Sequence, residues 1–401
     1  LTEFFLPYGR QTIEADDLAA VEEILHGDFL TTGPSVAAFE RAFADKVGAR
    51  FAVACSSGTA ALHLTALAME LGAGDVVISP TMSFLATANA ARYVGAEVAF
   101  ADVDAETGLV TASDLETAFA RSDNNKAIYV VHLAGQCADM ETVSAFARNH
   151  GLMVVEDACH AVGSTWRSAD GEEIRVGSCS HSDMTVFSFH PVKTITTGEG
   201  GMVTTNDEDL YARLLLSRNH GMTREEQAFE NTDLAFDARG GANPWYYEMH
   251  DIGFNYRLTD LQCALGLRQL DKLDGFVTRR RALAEKYDAA LVSMAPVVKP
   301  PKRVADQDPA WHLYAPRIDF TAAGVDRATV MGRLRESGIG SQVHYIPIHL
   351  QPFYRRRYGE FQMPGAMNYY RRTLSLPLFP AMEEADVDRV VASLIDALSR
   401  S

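Results

Sequence analysis

Positive charge is in short supply in this chain. Against 53 aspartates and glutamates it carries 36 lysines and arginines, a formal net charge of −17 over 401 residues. Such a surface as a whole repels nucleic acid and anionic membranes, while leaving room for a local positive pocket that takes a small anion. Cysteine is scarce too. The five present (Cys55, Cys137, Cys159, Cys179 and Cys263) are odd in number, and no two share CxxC spacing. That speaks against a disulfide framework or a zinc ribbon. His181, His190 and Cys179 show no regular ligand spacing, so no metal is expected. No apolar run reaches the ~20 residues of a membrane span. The N-terminal LTEFFLPYGRQTIEADD lacks the basic stretch and long apolar core of a leader. A soluble, cytoplasmic protein is expected. Internal repeats and low-complexity tracts are also missing.

What the chain does have is an ordinary globular balance, 47% hydrophobic and 22% charged residues, at a length beyond one hydrophobic core. A large and a small domain are expected, over 1–260 and 261–401. An N-terminal arm leads to a short amphipathic helix with Leu18, Val21 and Ile24 at helical spacing. Gly33-Pro34 then punctuates the chain, and a helix is expected over 37–47. From there strand and helix patterns alternate. Strands are expected at 51–54, 76–79, 98–101, 127–133 and 152–155, with helices between them at 59–71, 87–94, 115–120 and 140–149. This alternation predicts a mainly parallel sheet covered on both faces. Two further strands are expected at 184–189 and 202–205, around a glycine-rich turn. Residues 224–248 are polar and read as an inserted loop. Helices at 258–270, 276–292 and 385–398, with strands near 312–318 and 342–344, complete a smaller α+β portion.

Four stretches carry candidate chemistry. The first is Phe187-Ser-Phe-His-Pro-Val-Lys193-Thr-Ile-Thr-Thr-Gly-Glu-Gly-Gly201. Here one lysine sits between an apolar strand and a turn of small residues. A lysine amine attacks an aldehyde only when neutral, and burial favours that form. The plain alternative is a surface lysine in a hairpin; Ser188, His190, Thr194, Thr196, Thr197 and Glu199 around it oppose that. In the second, Val154-Val-Glu-Asp157-Ala-Cys-His160, an aspartate ends a buried strand, where ligand-facing residues of parallel sheets stand. A carboxylate there either caps the next segment or pairs with a protonated pyridine nitrogen, which keeps the ring of pyridoxal 5′-phosphate (PLP) an electron sink. His160 is within reach of that ring's phenolic oxygen. In the third, Ser57-Gly58-Thr59 joins a strand to a helix, either as a simple N-cap or as a phosphate cradle. The fourth is Phe84, placed just after a strand, which is either a core residue or a platform for a flat ring. Together they follow the order of one PLP site: phosphate cradle, ring platform, ring-nitrogen partner, lysine.

At these residues the chain resembles the DegT/DnrJ/EryC1/StrS family of sugar aminotransferases, within the fold-type I (aspartate aminotransferase-like) PLP-dependent transferases. The likeness runs through Pro7-Tyr8-Gly9-Arg10, Asp28-Phe29-Leu30-Thr31-Thr-Gly33-Pro, Ser57-Gly-Thr59, Glu156-Asp157, Ser188-Phe-His190-Pro-Val-Lys193, Gly198-Glu-Gly-Gly201 and Gly253-Phe-Asn255-Tyr-Arg257. It implies that Lys193 holds PLP as a Schiff base, that Asp157 pairs with the ring nitrogen and that Phe84 lies on the ring. It implies that Ser57, Gly58, Thr59 and Ser188 hold the phosphate side. Asn255 would reach the phosphate of a neighbouring subunit, so the active unit implied is a homodimer with shared sites. Tyr8, Asp28, Phe29, Leu30, Thr31, His344 and Tyr345 would line the sugar-nucleotide pocket. Dehydratases of the same family have histidine in place of the lysine, so Lys193 favours transamination. Many members have glutamine where this chain has His160; the histidine resembles the pseudaminic-acid branch, as do Pro244–Asp260 and Gln342–Ile348. The activity implied is transfer of an amino group from L-glutamate to C4 of a nucleotide-linked 4-keto-6-deoxy sugar. The substrate expected is UDP-2-acetamido-2,6-dideoxy-β-L-arabino-hexos-4-ulose. A GDP-perosamine-type aminotransferase, another PLP enzyme and a non-catalytic PLP-binding regulator are the competing readings.

Overall fold

The computed structural model describes residues 5–399. Helices α1 (Ala15–His26) and α2 (Pro34–Val47) precede strand β1 (Phe51–Cys55). Then α3 (Gly58–Ala68), β2 (Val76–Pro80), α4 (Leu85–Tyr93), β3 (Glu97–Ala101), α5 (Ala112–Phe119), β4 (Asn125–Val131), α6 (Met140–His150) and β5 (Met153–Asp157) alternate. A short antiparallel pair, β6 (Thr165–Arg167) and β7 (Glu173–Arg175), leads to β8 (Met184–Ser188), β9 (Gly201–Thr205) and α7 (Glu208–Arg218). The rest is mostly helical: α8 (Thr232–Ala235), α9 (Asp260–Asp271), α10 (Leu273–Leu291), α11 (Arg327–Glu336), α12 (Pro352–Tyr358), α13 (Pro364–Arg372) and α14 (Glu384–Ser399).

Among the described residues the central sheet has seven strands in the order β1-β9-β8-β5-β4-β2-β3. Its four pairings from β8 to β3 are parallel, and β9 runs antiparallel between β1 and β8. The strands are short and mostly apolar because both faces are covered. Strand periodicity splits them between two cores. Ile128 and Val130 of β4 join Phe39 and Phe43 of α2, Leu115 of α5 and Val143 of α6. Ala127, Tyr129 and Val131 join Leu62 and Leu64 of α3, Ala88 of α4 and Leu210 of α7. A third cluster, with Leu283, Tyr287, Val330, Leu334, Val391 and Leu394, unites α10, α11 and α14.

The expected doubly covered, mainly parallel sheet is present. The small α+β portion differs from its expectation. The strands anticipated near 312–318 and 342–344 reduce to a two-residue pairing of Arg317–Ile318 with Val298–Lys299 and isolated bridges from Tyr314 to Leu376, Arg317 to Thr373 and Gln342 to Ser375. Prolines at 296, 300, 301, 309, 316 and 347 remove the N–H groups a longer ladder would need. Helices α7, α11, α12 and α13 were not anticipated. The stretch 224–248 is more than a loop: it holds a 3-10 turn at Glu226–Ala228 and α8, and Glu248–Met249 pairs with Met222–Thr223. No described helix is long and apolar enough to cross a membrane.

Candidate active site

Parallel strands that end on the same edge bring their carboxyl ends together. Here β1 delivers Ser57, β2 delivers Phe84, β5 delivers Asp157 and β8 delivers Ser188 and, one turn later, Lys193. All of them line a single cavity of about 630 Å³, within the roughly 300–1,000 Å³ of small-molecule sites. The small C-terminal portion closes one side with His312, Gln342, His344, Tyr345 and Gln351, and Tyr8 of the arm adds a further wall.

The lysine is fixed by what precedes it. Phe187 and Phe189 are fully buried and pack against Phe43 at ring separations of 5.0 and 5.5 Å. Such edge-on pairs contribute ~0.5–1.5 kcal/mol each beyond burial. By alternation Ser188 between them faces the cavity. The turn is then closed by Phe189 N–H donating to Gly200 O (2.9 Å), Thr197 N–H to Phe189 O (3.0 Å) and Lys193 N–H to His190 O (2.8 Å). Gly201 allows the close approach of β9 to the head of α3: a Cβ there would lie 2.3 Å from Ser57 O. Burial pushes the Lys193 amine below its ordinary range, against the opposing pull of Cys159 and Asp157. Among the described residues Lys193 has no ion-pair partner.

Asp157 is buried, 6% exposed. Its Oδ2 accepts from Thr87 Oγ1 (2.6 Å), which is joined to Ser83 Oγ (2.6 Å), and its Oδ1 accepts from Cys159 N–H (3.2 Å). The capping role is therefore real, yet no cation pairs with this carboxylate among the described residues. The neighbouring Glu156 points to the opposite face. It accepts from His132 Nε2 (2.6 Å), Ser182 Oγ (2.5 Å) and Thr185 Oγ1 (3.2 Å). Burial opposes ionisation of Glu156, but these donors outweigh it and hold the carboxyl below its usual range.

Ser57 caps α3 by accepting from Ala60 N–H (3.1 Å). Gly58 and Thr59 both line the cavity, and their N–H groups belong to the first turn, which an α-helix cannot bond internally. Phe84 is 55% exposed despite its size, with its ring 5.9 Å from that of Tyr345. His160 is anchored at both nitrogens: Ala134 N–H donates to Nδ1 (3.3 Å), and Nε2 lies 2.9 Å from the Tyr345 hydroxyl. Burial, then Lys193 and His344, hold His160 well below its ordinary range. Burial and then Lys193 push His344 down to about 3.

Two groups anticipated for the site stand apart from the cavity of the single chain. Asn255 is exposed and pairs through its backbone with Asn219. Asp28, Phe29, Leu30 and Thr31 are exposed beside the start of α9, where Asp260 N–H donates to Leu30 O (3.1 Å). Sequence reasoning missed Thr87, Ser83 and His312. The hydroxyl-rich run Thr81-Met-Ser83-Phe-Leu-Ala-Thr87 was the available signal for the first two. His181 meets Trp166 edge-on and the Cys179 thiol lies among Thr185 and Thr204. No cluster of three or more metal-ligating side chains occurs among the described residues.

An amine whose charged form burial disfavours and a buried carboxylate with no cation partner among the described residues share one cavity with an exposed aromatic ring and an open helix terminus. That donor set fits PLP, with its aldehyde, pyridinium nitrogen, flat ring and phosphate. The profile of the "DegT/DnrJ/EryC1/StrS aminotransferase family" matches residues 11–395. The chain belongs to this family. It is a PLP-dependent sugar aminotransferase, in agreement with the resemblance read from its motifs. The chain is 40% identical to the spore coat polysaccharide biosynthesis protein SpsC of Bacillus subtilis (strain 168), over 98% of this chain and 97% of that one. Its structure resembles Helicobacter pylori PseC, an aminotransferase involved in the biosynthesis of pseudoaminic acid, with a TM-score of 0.88 and 28% identity over 98% and 99% of the two chains. It also resembles the PLP form of the sugar aminotransferase Spr1654 from Streptococcus pneumoniae, with a TM-score of 0.85 and 26% identity over 98% and 99%. As family members do, the chain uses PLP.

Proposed function

We propose that this aminotransferase moves an amino group from L-glutamate to C4 of a UDP-linked 4-keto-6-deoxy sugar, UDP-2-acetamido-2,6-dideoxy-β-L-arabino-hexos-4-ulose. The observation that carries the transamination is the presence of Lys193 and Asp157 in the lining of one cavity. The sugar class is supported by the whole-chain likeness to PseC and by His160 in a position where many family members carry glutamine. A second reading, another nucleotide-linked 4-keto sugar such as a GDP-perosamine precursor, draws on the higher identity to SpsC, whose name specifies a polysaccharide and no nucleotide.

When bound, PLP supplies an electron sink and an amino-group carrier. The chain's own residues do the rest. Lys193, its amine shifted by burial toward the neutral form, holds the cofactor and, once released, takes a proton from the donor's Cα and later returns one at sugar C4. Asp157, with Thr87 and Cys159 N–H fixing its orientation, keeps the ring nitrogen protonated. Gly58 and Thr59 N–H groups, with the Ser57 and Ser188 hydroxyls, take the phosphate. Phe84 supports the ring face. Tyr8, His344 and Tyr345 shape the sugar side.

In this reading residues 1–260 carry the cofactor and 261–401 cover it. The active unit is a homodimer, in which Asn255 and Asp28–Thr31 of one copy complete the cavity of the other; their exposure on the single chain supports this. The test is a panel of UDP-, dTDP- and GDP-linked 4-keto sugars offered to the glutamate-treated protein, with product configuration at C4 read by NMR. Amination of the UDP-linked sugar alone is expected. Preference for a GDP-linked sugar overturns the substrate assignment, and no loss of the PLP visible band on adding glutamate overturns the donor.

A further inference from the structure

The proton positions around His160 follow from its neighbours. A backbone N–H can only donate, so Ala134 N–H facing Nδ1 (3.3 Å) makes that nitrogen the acceptor. A neutral imidazole then carries its proton on Nε2, and Nε2 lies 2.9 Å from Tyr345 Oη. His160 has no further proton to give. The Tyr345 oxygen accepts from His160, and its own proton has no acceptor in the chain among the described residues. Tyr345 lines the cavity, with its ring nearly parallel to that of His160 (5.9 Å, 25°) and edge-on to that of His344 (4.9 Å, 89°). The phenol is therefore held in one orientation between the histidines and Phe84.

Resting on the aminotransferase reading above, we propose that Tyr345 presents the hydrogen-bond donor to a ligand oxygen in this cavity, and that His160 is a positioning residue acting through it. This reassigns the direct contact expected of His160. Burial and then the charges of Asp157, Cys159 and Tyr8 keep the phenol protonated far above neutrality, as a donor must be. The other titratable groups facing the pair are Lys193, His312 and His344, and burial also holds the two histidines below their ordinary range. The acceptor is an sp² or phenolic oxygen, belonging either to the ring hydroxyl of PLP or to the carbonyl of the keto sugar.

The experiment uses the PLP-loaded protein with Tyr345→Phe, His160→Gln and the double variant. Two quantities are read: the pH midpoint of the visible band without substrates, and the single-turnover rates of the glutamate and sugar half-reactions. If the oxygen is the cofactor's, Tyr345→Phe raises the midpoint by about one pH unit, the worth of one hydrogen bond to a charged oxygen. If it is the sugar's, the midpoint stays and the sugar half-reaction alone slows by about tenfold. In either arm His160→Gln moves the same quantity in the same direction, and adding it to Tyr345→Phe changes that quantity less than twofold. An unmoved midpoint with both half-reactions unchanged, or slowed equally, overturns the proposal, as do independent effects in the double variant. If Tyr345→Phe does not fold, His160→Gln is measured in the same two ways, and the same outcomes support or overturn the proposal. A wild-type protein that takes up no PLP defeats the underlying reading instead, and shows this before any variant is made.

Discussion

Replacing Asp157 by asparagine separates the electrostatic job of this residue from its structural one. The carboxylate accepts two hydrogen bonds, from Thr87 Oγ1 and from Cys159 N–H. An asparagine of the same shape keeps the second through its amide oxygen. Its amide nitrogen then faces Thr87, whose hydroxyl can turn to accept and donate to Ser83 Oγ, 2.6 Å away. The loss to stability is about one hydrogen bond, ~1 kcal/mol, and the melting temperature should fall by no more than about 3 °C. The negative charge, however, is gone. A carboxylate next to a ring cation is worth about 4 kcal/mol at an effective dielectric of about 20, which corresponds to roughly a thousandfold in rate. The expected result is a folded, PLP-binding protein whose kcat/KM for the overall transfer is down by about three orders of magnitude. Thermal melting, the visible spectrum and steady-state kinetics on one preparation decide it. An asparagine variant within tenfold of wild type would refute the role of this charge. A variant that melts about 10 °C lower would refute the structural half of the reasoning.

Lys193→Ala should abolish both the visible band and turnover while leaving the fold intact by circular dichroism. Gly58→Ala should weaken PLP binding by roughly tenfold in a fluorescence titration, because a Cβ there meets Ser188 Cβ at 2.9 Å and Cys159 Sγ at 3.3 Å, an overpacking worth ~1–3 kcal/mol. Mixing Lys193→Ala chains with Asn255→Ala chains should restore activity above either parent, since each mixed dimer then contains one intact shared site; no recovery after subunit exchange counts against sharing. Acid should destabilise the protein early. His160, His312 and His344 are held neutral by burial, so the unfolded chain binds more protons. Their contribution is full above pH ~6.5 and is lost as pH falls toward their depressed folded values. Each adds a slope of about 1.4 kcal/mol per pH unit, measurable as a melting temperature that drops steeply between pH 6.5 and 5.

How far the sequence carries depends on how local each determinant is. The sheet was legible because each strand from β1 to β4 is a short, mainly apolar run followed by a helical pattern, and β5 ends the series with one more apolar run. Lys193, Asp157, Phe84 and Ser57-Gly58-Thr59 were legible for a related reason: strand ends are local features, and strand order places them on one edge. The proton network was not. That Ala134, a residue at φ 61° in a 3-10 turn, turns its N–H onto His160, 26 positions away, depends on where two loops cross. That Tyr345 meets the other nitrogen depends on how the C-terminal portion sits on the sheet, across 185 positions. Sequence alone leaves His160 with a free N–H and a ligand contact that the crossing loops give to Tyr345. The same logic covers Asn255 and Asp28–Thr31. Their motif is plain in the sequence, but the fold of a single chain does not bring them to the cavity of Lys193; in the homodimer proposed above, their neighbours would lie on another copy.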